Sequence, residues 1–217
     1  PRLVGSEMCI RDSIFSAVAF ISLISFSTIK DIESITIGSK APLSNTKMKD
    51  VSEKSFSLEE LKKEKGLLVI FSCNTCPFVV GNSNMEGWEG RYNQLFTIAE
   101  KNNIGMVLIN SNEAKRNDAD SFSRMKERSK KMDYKANYLV DKNSKLADAF
   151  GASTTPHVFL FDADLKLVYK GAIDDAVGST KDVKSRWLST AMKNMSTNQP
   201  IDPQTTRNSG CSIKRVK

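Results

Sequence analysis

The sequence predicts an α/β domain: a central mixed β-sheet with helices on both faces. Three observations carry that prediction. Short apolar runs of strand length alternate with segments of helical period. A C-x-x-C pair, Cys73-Asn74-Thr75-Cys76, lies where one apolar run meets a helix-like segment. A Thr-Pro step precedes two apolar runs joined by the turn Asp162-Ala163-Asp164, and a helical segment follows them. Strands and helices in alternation, ending on a hairpin and a helix, build layered α/β structure rather than a bundle or a sandwich.

The elements follow in order. Gly38 to Pro42 is a loop leading into the domain, and Thr46 to Ser57 alternates weakly, as a short hairpin would. Ser57-Leu58-Glu59-Glu60 reads as a capping box, with Gly66 as the helix stop. Leu67 to Phe71 is a buried strand, and the segment after Cys76 is helical with a break around Gly81 to Gly90. Trp88, Tyr92, Leu95, Phe96 and Ala99 fall at helical spacing and mark a core face. Met106 to Ile109 is a second buried strand. Asp118 to Met132 is an exposed helix with Phe122 and Met125 on its inner face, and Tyr138 to Val140 is extended. Ser144 to Phe150 is a short helix stopped by Gly151. His157 to Phe161 pairs antiparallel with Leu167 to Gly171, and Asp182 to Met195 is the last helix. The order is β-α-β-α-α-β-β-α, with no internal repeat.

The two ends read differently. Residues 1–13, PRLVGSEMCIRDS, resemble a translated adapter scar and are set apart from fold reasoning, which removes Cys9 from the cysteine count. Ile14 to Phe26 is uncharged and apolar, shorter than the roughly 20 residues of a membrane span and of the length of a secretory leader core. Residues 14–37 are therefore expected to be a leader remnant and linker, residues 38–196 the domain, and residues 197–217 a polar, Pro-broken tail. Membrane contact is expected only through an uncleaved N-terminal segment. The expected compartment is outside the cytoplasm, a bacterial periplasm or its equivalent.

The formal net charge is +7, but acids are interspersed with the basic residues, as in Asp118 to Asp133, and no nucleic-acid motif appears. A solvated basic surface is the expectation, without a nucleic-acid partner.

The chemistry gathers at Cys73 and Cys76. A thiol at the first turn of a helix meets unpaired N–H groups, which favour the reactive thiolate. Cysteines three apart there can close a disulfide and cycle. A zinc half-site is the competing use, but no second C-x-x-C or histidine pair completes four ligands. Pro156 opens a buried strand, where it cannot donate to the ladder, and X-Pro is the bond at which a cis peptide is tolerated. A cis Thr155-Pro156 would turn the Thr155 backbone towards the dithiol and offer it to an extended substrate.

C-x-x-C-P after a strand, then Thr155-Pro156 before the hairpin and a closing helix, resembles the thioredoxin superfamily over roughly residues 38–195. Within it the chain resembles the redoxin group, which joins thiol–disulfide oxidoreductases to the alkyl hydroperoxide reductase/thiol-specific antioxidant family. The resemblance implies thiol–disulfide exchange. Cys73, expected to be the more exposed, attacks a substrate disulfide, and Cys76 resolves the mixed disulfide. No cofactor is implied beyond the redox-active disulfide. The implied partners are protein or small-molecule disulfides and a redox partner protein. Two departures stand out. Ser72 occupies the place of the usual Trp, and the segment from about Asn112 to Val140 lengthens the path to Pro156. Peroxiredoxins carry Thr where Cys73 stands and their peroxidatic cysteine where Cys76 stands, so a peroxidase using Cys76 is an alternative.

Three further residues are candidates. Cys211, in the tail, could fold back as a third redox thiol. Glu113 follows a strand at the sheet end where ligands gather and could tune a thiol or shuttle a proton. His157, the only histidine, could join Cys73 and Cys76 around copper in a copper-delivery protein.

Overall fold

The computed structural model describes Pro1 and residues 33–216, and residues 33–216 lie in one compact unit. The scar-like stretch and the apolar run at Ile14 to Phe26 fall outside the described residues.

A hairpin comes first, β1 (Met48–Asp50) with β2 (Ser55–Phe56), Met48 opposite Phe56. Ser57 then caps α1 (Leu58–Leu61): its hydroxyl accepts from the Glu60 N–H at 3.3 Å, and its own N–H donates to the Glu60 carboxylate at 2.9 Å. That reciprocal cap is worth about 1 kcal/mol. The helix stops at Leu61 rather than at Gly66. Gly66 instead opens β3 (Gly66–Ser72) with φ of 134°. A side chain there would meet the Phe161 carbonyl oxygen at 2.0 Å, so the glycine lets neighbouring backbone close in.

All seven residues of β3 are buried. It is followed by the single turn α2 (Pro77–Val80), a 3₁₀ turn at Glu89–Arg91, α3 (Tyr92–Lys101) and β4 (Ile104–Asn110). Next come α4 (Phe122–Lys131), β5 (Asn137–Val140), α5 (Lys145–Phe150), β6 (Thr154–Thr155), β7 (His157–Phe161) and β8 (Leu167–Gly171). The last helix, α6 (Trp187–Ser196), starts five residues later than the sequence predicts, because a 3₁₀ turn occupies Thr180–Asp182. The tail ends in β9 (Cys211–Ser212).

Seven strands form one mixed sheet in the order β2-β1-β5-β4-β3-β7-β8, with β3 parallel to β4 and antiparallel to β7. Strand alternation divides the core in two. One face holds Leu68, Ile70, Met106, Leu108, Val158 and Leu160, packed with Cys73, Cys76, Trp88 and Tyr92. The other holds Leu67, Val69, Phe71, Val107, Phe159 and Phe161, packed with Phe150. Phe150 meets Phe71, Phe159 and Phe161 edge-on, with ring centroids 5.2 to 5.5 Å apart.

On the first face Asp174 accepts from Trp88 Nε1 at 2.9 Å and from Arg91 Nη1 at 2.6 and 2.7 Å, all three residues being buried. Met125 of α4 is buried as its spacing predicts, whereas Phe122 is only half-buried under the Lys49 ammonium, 4.4 Å from the ring centre. The polar tail is not loose. β9 pairs antiparallel with β6, Ile213 is buried, and the Ile213 N–H donates to the Ser153 carbonyl at 3.0 Å. Among the described residues no helix is long and apolar enough to cross a membrane.

Candidate active site

β3 carries the dithiol to one end of the sheet, and Pro77 then fixes the start of α2. The N-cap of that turn is Cys76, not Cys73, because the proline that begins the helix follows the second cysteine. Gly81 ends α2 after one turn, the break expected around Gly81 to Gly90 follows, and α3 begins at Tyr92.

The Thr155-Pro156 peptide is cis, and Thr155 meets both sulfurs. Its hydroxyl lies 3.1 Å from Cys73 Sγ, and its carbonyl accepts from the Cys76 thiol at 3.0 Å. Cys73 Sγ also accepts from the Cys76 N–H at 3.3 Å. Cys211, brought in by β9, donates its N–H to Cys76 Sγ at 3.3 Å. Cys73, Cys76 and Cys211 are all free thiols.

The two dithiol sulfurs divide one proton between them. Contact with Cys73, then with the Cys211 side chain and N–H, lowers the Cys76 thiol to about 5. The same contact, reinforced by burial, pushes Cys73 well above the ordinary cysteine range, and the Asp120 charge adds to the rise. Ionised Cys76 gives up its bond to the Thr155 carbonyl but keeps the Cys211 N–H and the Cys73 thiol as donors. Residue exposure is 2% for Cys73 and 3% for Cys76, so Cys73 is not the more exposed sulfur. The expected order of ionisation is reversed: charge settles on Cys76, where more donors converge.

A buried polar network holds the loop between the cysteines. Asp120 accepts from the Asn74 N–H at 2.8 Å, from Asn110 Nδ2 at 2.7 Å and from Asn112 Nδ2 at 3.0 Å. The Tyr138 hydroxyl donates to Asn74 Oδ1 at 3.0 Å. Sequence reasoning missed Asp120, which lay inside the stretch read as an exposed helix. Ser121, the true N-cap of α4, is the one signal that would have excluded it.

Glu113 does not reach the dithiol. Its carboxylate pairs with Arg116 at 3.4 Å, on the wall of a separate cavity of about 810 Å³ lined by Met48, Phe122, Val140 and Leu146. A smaller cavity of about 360 Å³ opens beside Asn74 and Thr75, with Arg124, Arg128 and Lys131 on its wall. His157 is also apart from the sulfurs. Its ring packs tilted against Phe159, a residue of the opposite core, with ring centres 4.4 Å apart. Its Nδ1 has no partner, and burial, then the Lys170 charge, lowers it to about 4, so the ring is neutral. The three-ligand copper site is therefore not assembled, because strand alternation sends His157 and the cysteines to different faces. Among the described residues no cluster of three His, Cys, Asp or Glu side chains could hold a metal.

The redoxin family profile matches residues 36–185, so α6 and the tail with Cys211 lie beyond it. No curated protein sequence matches significantly. A hypothetical protein from Sinorhizobium meliloti 1021 is similar in structure, with 31% identity and a TM-score of 0.75, covering 85% of this chain and 97% of its own. An uncharacterized conserved protein from Geobacillus kaustophilus has 28% identity and a TM-score of 0.74, covering 83% of this chain and 93% of its own. Peroxidoxin BcpB from Mycobacterium tuberculosis shares the fold at 11% identity and a TM-score of 0.54, over 73% of this chain and 97% of its own. The chain belongs to the redoxin family of the thioredoxin superfamily and is a thioredoxin-like oxidoreductase.

Proposed function

We propose that the protein is a thiol–disulfide oxidoreductase whose working group is the Cys73/Cys76 dithiol. One observation carries this reading: both sulfurs lie within 3.1 Å of polar atoms of Thr155, at a strand edge that the tail strand β9 occupies and a substrate strand can take over. The Cys76 thiolate attacks one sulfur of a substrate disulfide and displaces the other as a thiolate. Cys73 then attacks Cys76 Sγ, releases the reduced substrate and closes the Cys73–Cys76 disulfide. A redox partner protein reduces that disulfide again, and no bound cofactor takes part. Thr155 holds both sulfurs, and its backbone pairs with an extended substrate that displaces β9 beside Pro156. The substrate is a protein or small-molecule disulfide, met outside the cytoplasm if the apolar run at Ile14 to Phe26 acts as an export leader.

Turnover with insulin or glutathione disulfide tests the reading. Cys76→Ser is expected to abolish turnover, and the double variant Cys73→Ser/Cys211→Ser, which has no second thiol beside Cys76, to accumulate a mixed disulfide on Cys76. Turnover that persists in Cys76→Ser would overturn it.

The low thiol of Cys76 also favours a second reading, a peroxidase. There the thiolate takes an oxygen from a hydroperoxide, giving an alcohol and a sulfenic acid, which a second thiol condenses with loss of water. Hydroperoxide consumption that survives Cys73→Ser but not Cys76→Ser would select this reading over exchange.

A further inference from the structure

The covering of the sulfurs raises the question of what sits on them. The answer is the chain's own tail. β9 lies antiparallel on β6, with Cys211 opposite Thr155, where an incoming substrate strand would pair. The seat is shaped for it. A side chain at Gly210 would meet the Thr155 carbonyl oxygen at 2.4 Å, so glycine is what lets the segment approach. Asn208 Nδ2 donates to Thr154 Oγ1 at 2.8 Å on one side. On the other, the Lys214 N–H donates to Asn112 Oδ1 at 2.9 Å, and Arg215 pairs with Asp148 at 2.6 Å. Cys76 is thus the middle of three thiols, in contact with Cys73 and, through the N–H at 3.3 Å, with Cys211.

We propose that Cys211 is a third redox thiol, which takes over the disulfide from Cys73 and forms a Cys76–Cys211 bond across Thr155. The inference rests on the exchange reading above, which supplies the Cys73–Cys76 disulfide. Cys211 loses its proton and attacks Cys76 Sγ. The Cys76–Cys211 bond forms as the Cys73–Cys76 bond breaks, and Cys73 leaves as a thiolate that takes up the proton. One disulfide and one thiol stand on each side, so no outside oxidant or reductant is needed.

The electrostatics give the order of events. In the reduced protein, burial, then contact with Cys76, pushes the Cys211 thiol up to about 11, so it stays protonated beside the Cys76 thiolate. Oxidation of Cys76 removes that neighbouring charge. The Lys214 ammonium, which favours the Cys211 thiolate, then opposes burial alone. The product frees Cys73 and fastens the tail over the substrate seat. The Cys76–Cys211 form is therefore one in which the strand-pairing site is covalently closed.

Peptide mapping tests this on the full chain. Trypsin leaves Cys73 and Cys76 together on peptide 66–91 and Cys211 on peptide 208–214, so a Cys76–Cys211 bond links two peptides and a Cys73–Cys76 bond does not. Reduced protein is treated with one equivalent of glutathione disulfide, quenched in acid, alkylated and digested. The linked pair with Cys73 alkylated is expected. In Cys73→Ser, diamide is expected to give the linked pair within single chains as the main product. Gly210→Val, which pushes the segment off Thr155, is expected to cut the linked pair at least tenfold while peptide 66–91 still closes its own disulfide. The proposal is overturned if wild type closes only Cys73–Cys76 and diamide-treated Cys73→Ser yields no linked pair. Diamide separates this failure from that of the exchange reading. A protein inert to glutathione disulfide would sink the latter, while Cys76–Cys211 formation under diamide would still support the seat.

Discussion

The two faces of the central sheet each bury a titratable group whose pKa is lowered, and the two cases mean opposite things. On the dithiol face Cys76 falls to about 5 because the Cys73 thiol and the Cys211 side chain and N–H all donate towards it, which favours its charged form. On the aromatic face His157 falls to about 4 because it is shut in against Phe159 with an unpartnered Nδ1, which favours its neutral form. Donors make a reactive anion, whereas burial makes an inert ring. The direction of a shift therefore does not identify a functional group. Its cause does.

The largest effect that can break this contrast is removal of the anion. Cys76→Ser is expected to abolish the thiolate absorbance near 240 nm between pH 6 and 8 and to lower disulfide turnover at least about 10²-fold, since the thiolate is the nucleophile. An unchanged titration in that variant would move the charge to another cysteine.

Next in size are two structural changes. Asp174→Ala leaves Arg91 charged, buried and unpaired, and is expected to cost about 3–5 kcal/mol in urea unfolding. Phe159→Ala opens the aromatic core for about the same cost, about 3–5 kcal/mol, and should leave the Cys76 titration where it is because the thiol lies on the other face. A shift in that titration would join the faces that the geometry separates.

Smaller is the dependence of stability on pH. The Cys76 contribution is fully present above the unfolded cysteine value near 9 and is lost as pH falls towards about 5. Raised Cys211 behaves the other way, its contribution being present below that value and lost as pH rises through about 11. The His157 contribution is present above about 6.5 and lost as pH falls through about 4. Urea midpoints of the reduced protein should therefore rise from pH 5 to about 9. Cys76→Ser should flatten that rise, and His157→Phe should flatten only the part between about 6.5 and 4. Equal slopes in wild type and His157→Phe would contradict the neutral buried ring.

The smallest expected effect concerns Asp120, whose charge raises the Cys73 thiol. Asp120→Asn keeps a side chain of the same shape and should lower the Cys73 titration. Iodoacetamide labelling of Cys73 against pH, in a Cys76→Ser background, reads that change directly.

Much of this was legible in one dimension. The strands at Leu67 to Phe71, His157 to Phe161 and Leu167 to Gly171 came through because apolar runs this short, bounded by turn residues, have strand length rather than helix length. The capping box at Ser57 and the cis Thr155-Pro156 bond came through because each is a local stereochemical pattern. Gly66 was misplaced as a helix stop, because its reason for being glycine is the Phe161 backbone, which lies far along the chain. The ionisation order of the dithiol was reversed for a related reason. It put the first thiol, Cys73, at the helix N-terminus, whereas Pro77 starts the helix and makes Cys76 its N-cap.

What the sequence determined by itself is the alternation of strand and helix, the redox pair and the proline-bounded strand entry, since each depends on neighbours within a few residues. Only the tertiary structure decided which sulfur carries the charge, that Asp120 rather than Glu113 reaches the loop, that His157 turns away, and that the tail brings Cys211 to Cys76. Those four outcomes depend on contacts between segments 46 to 135 residues apart or on which face of a strand a side chain takes. Such contacts are fixed by sheet order and packing, which no local pattern encodes.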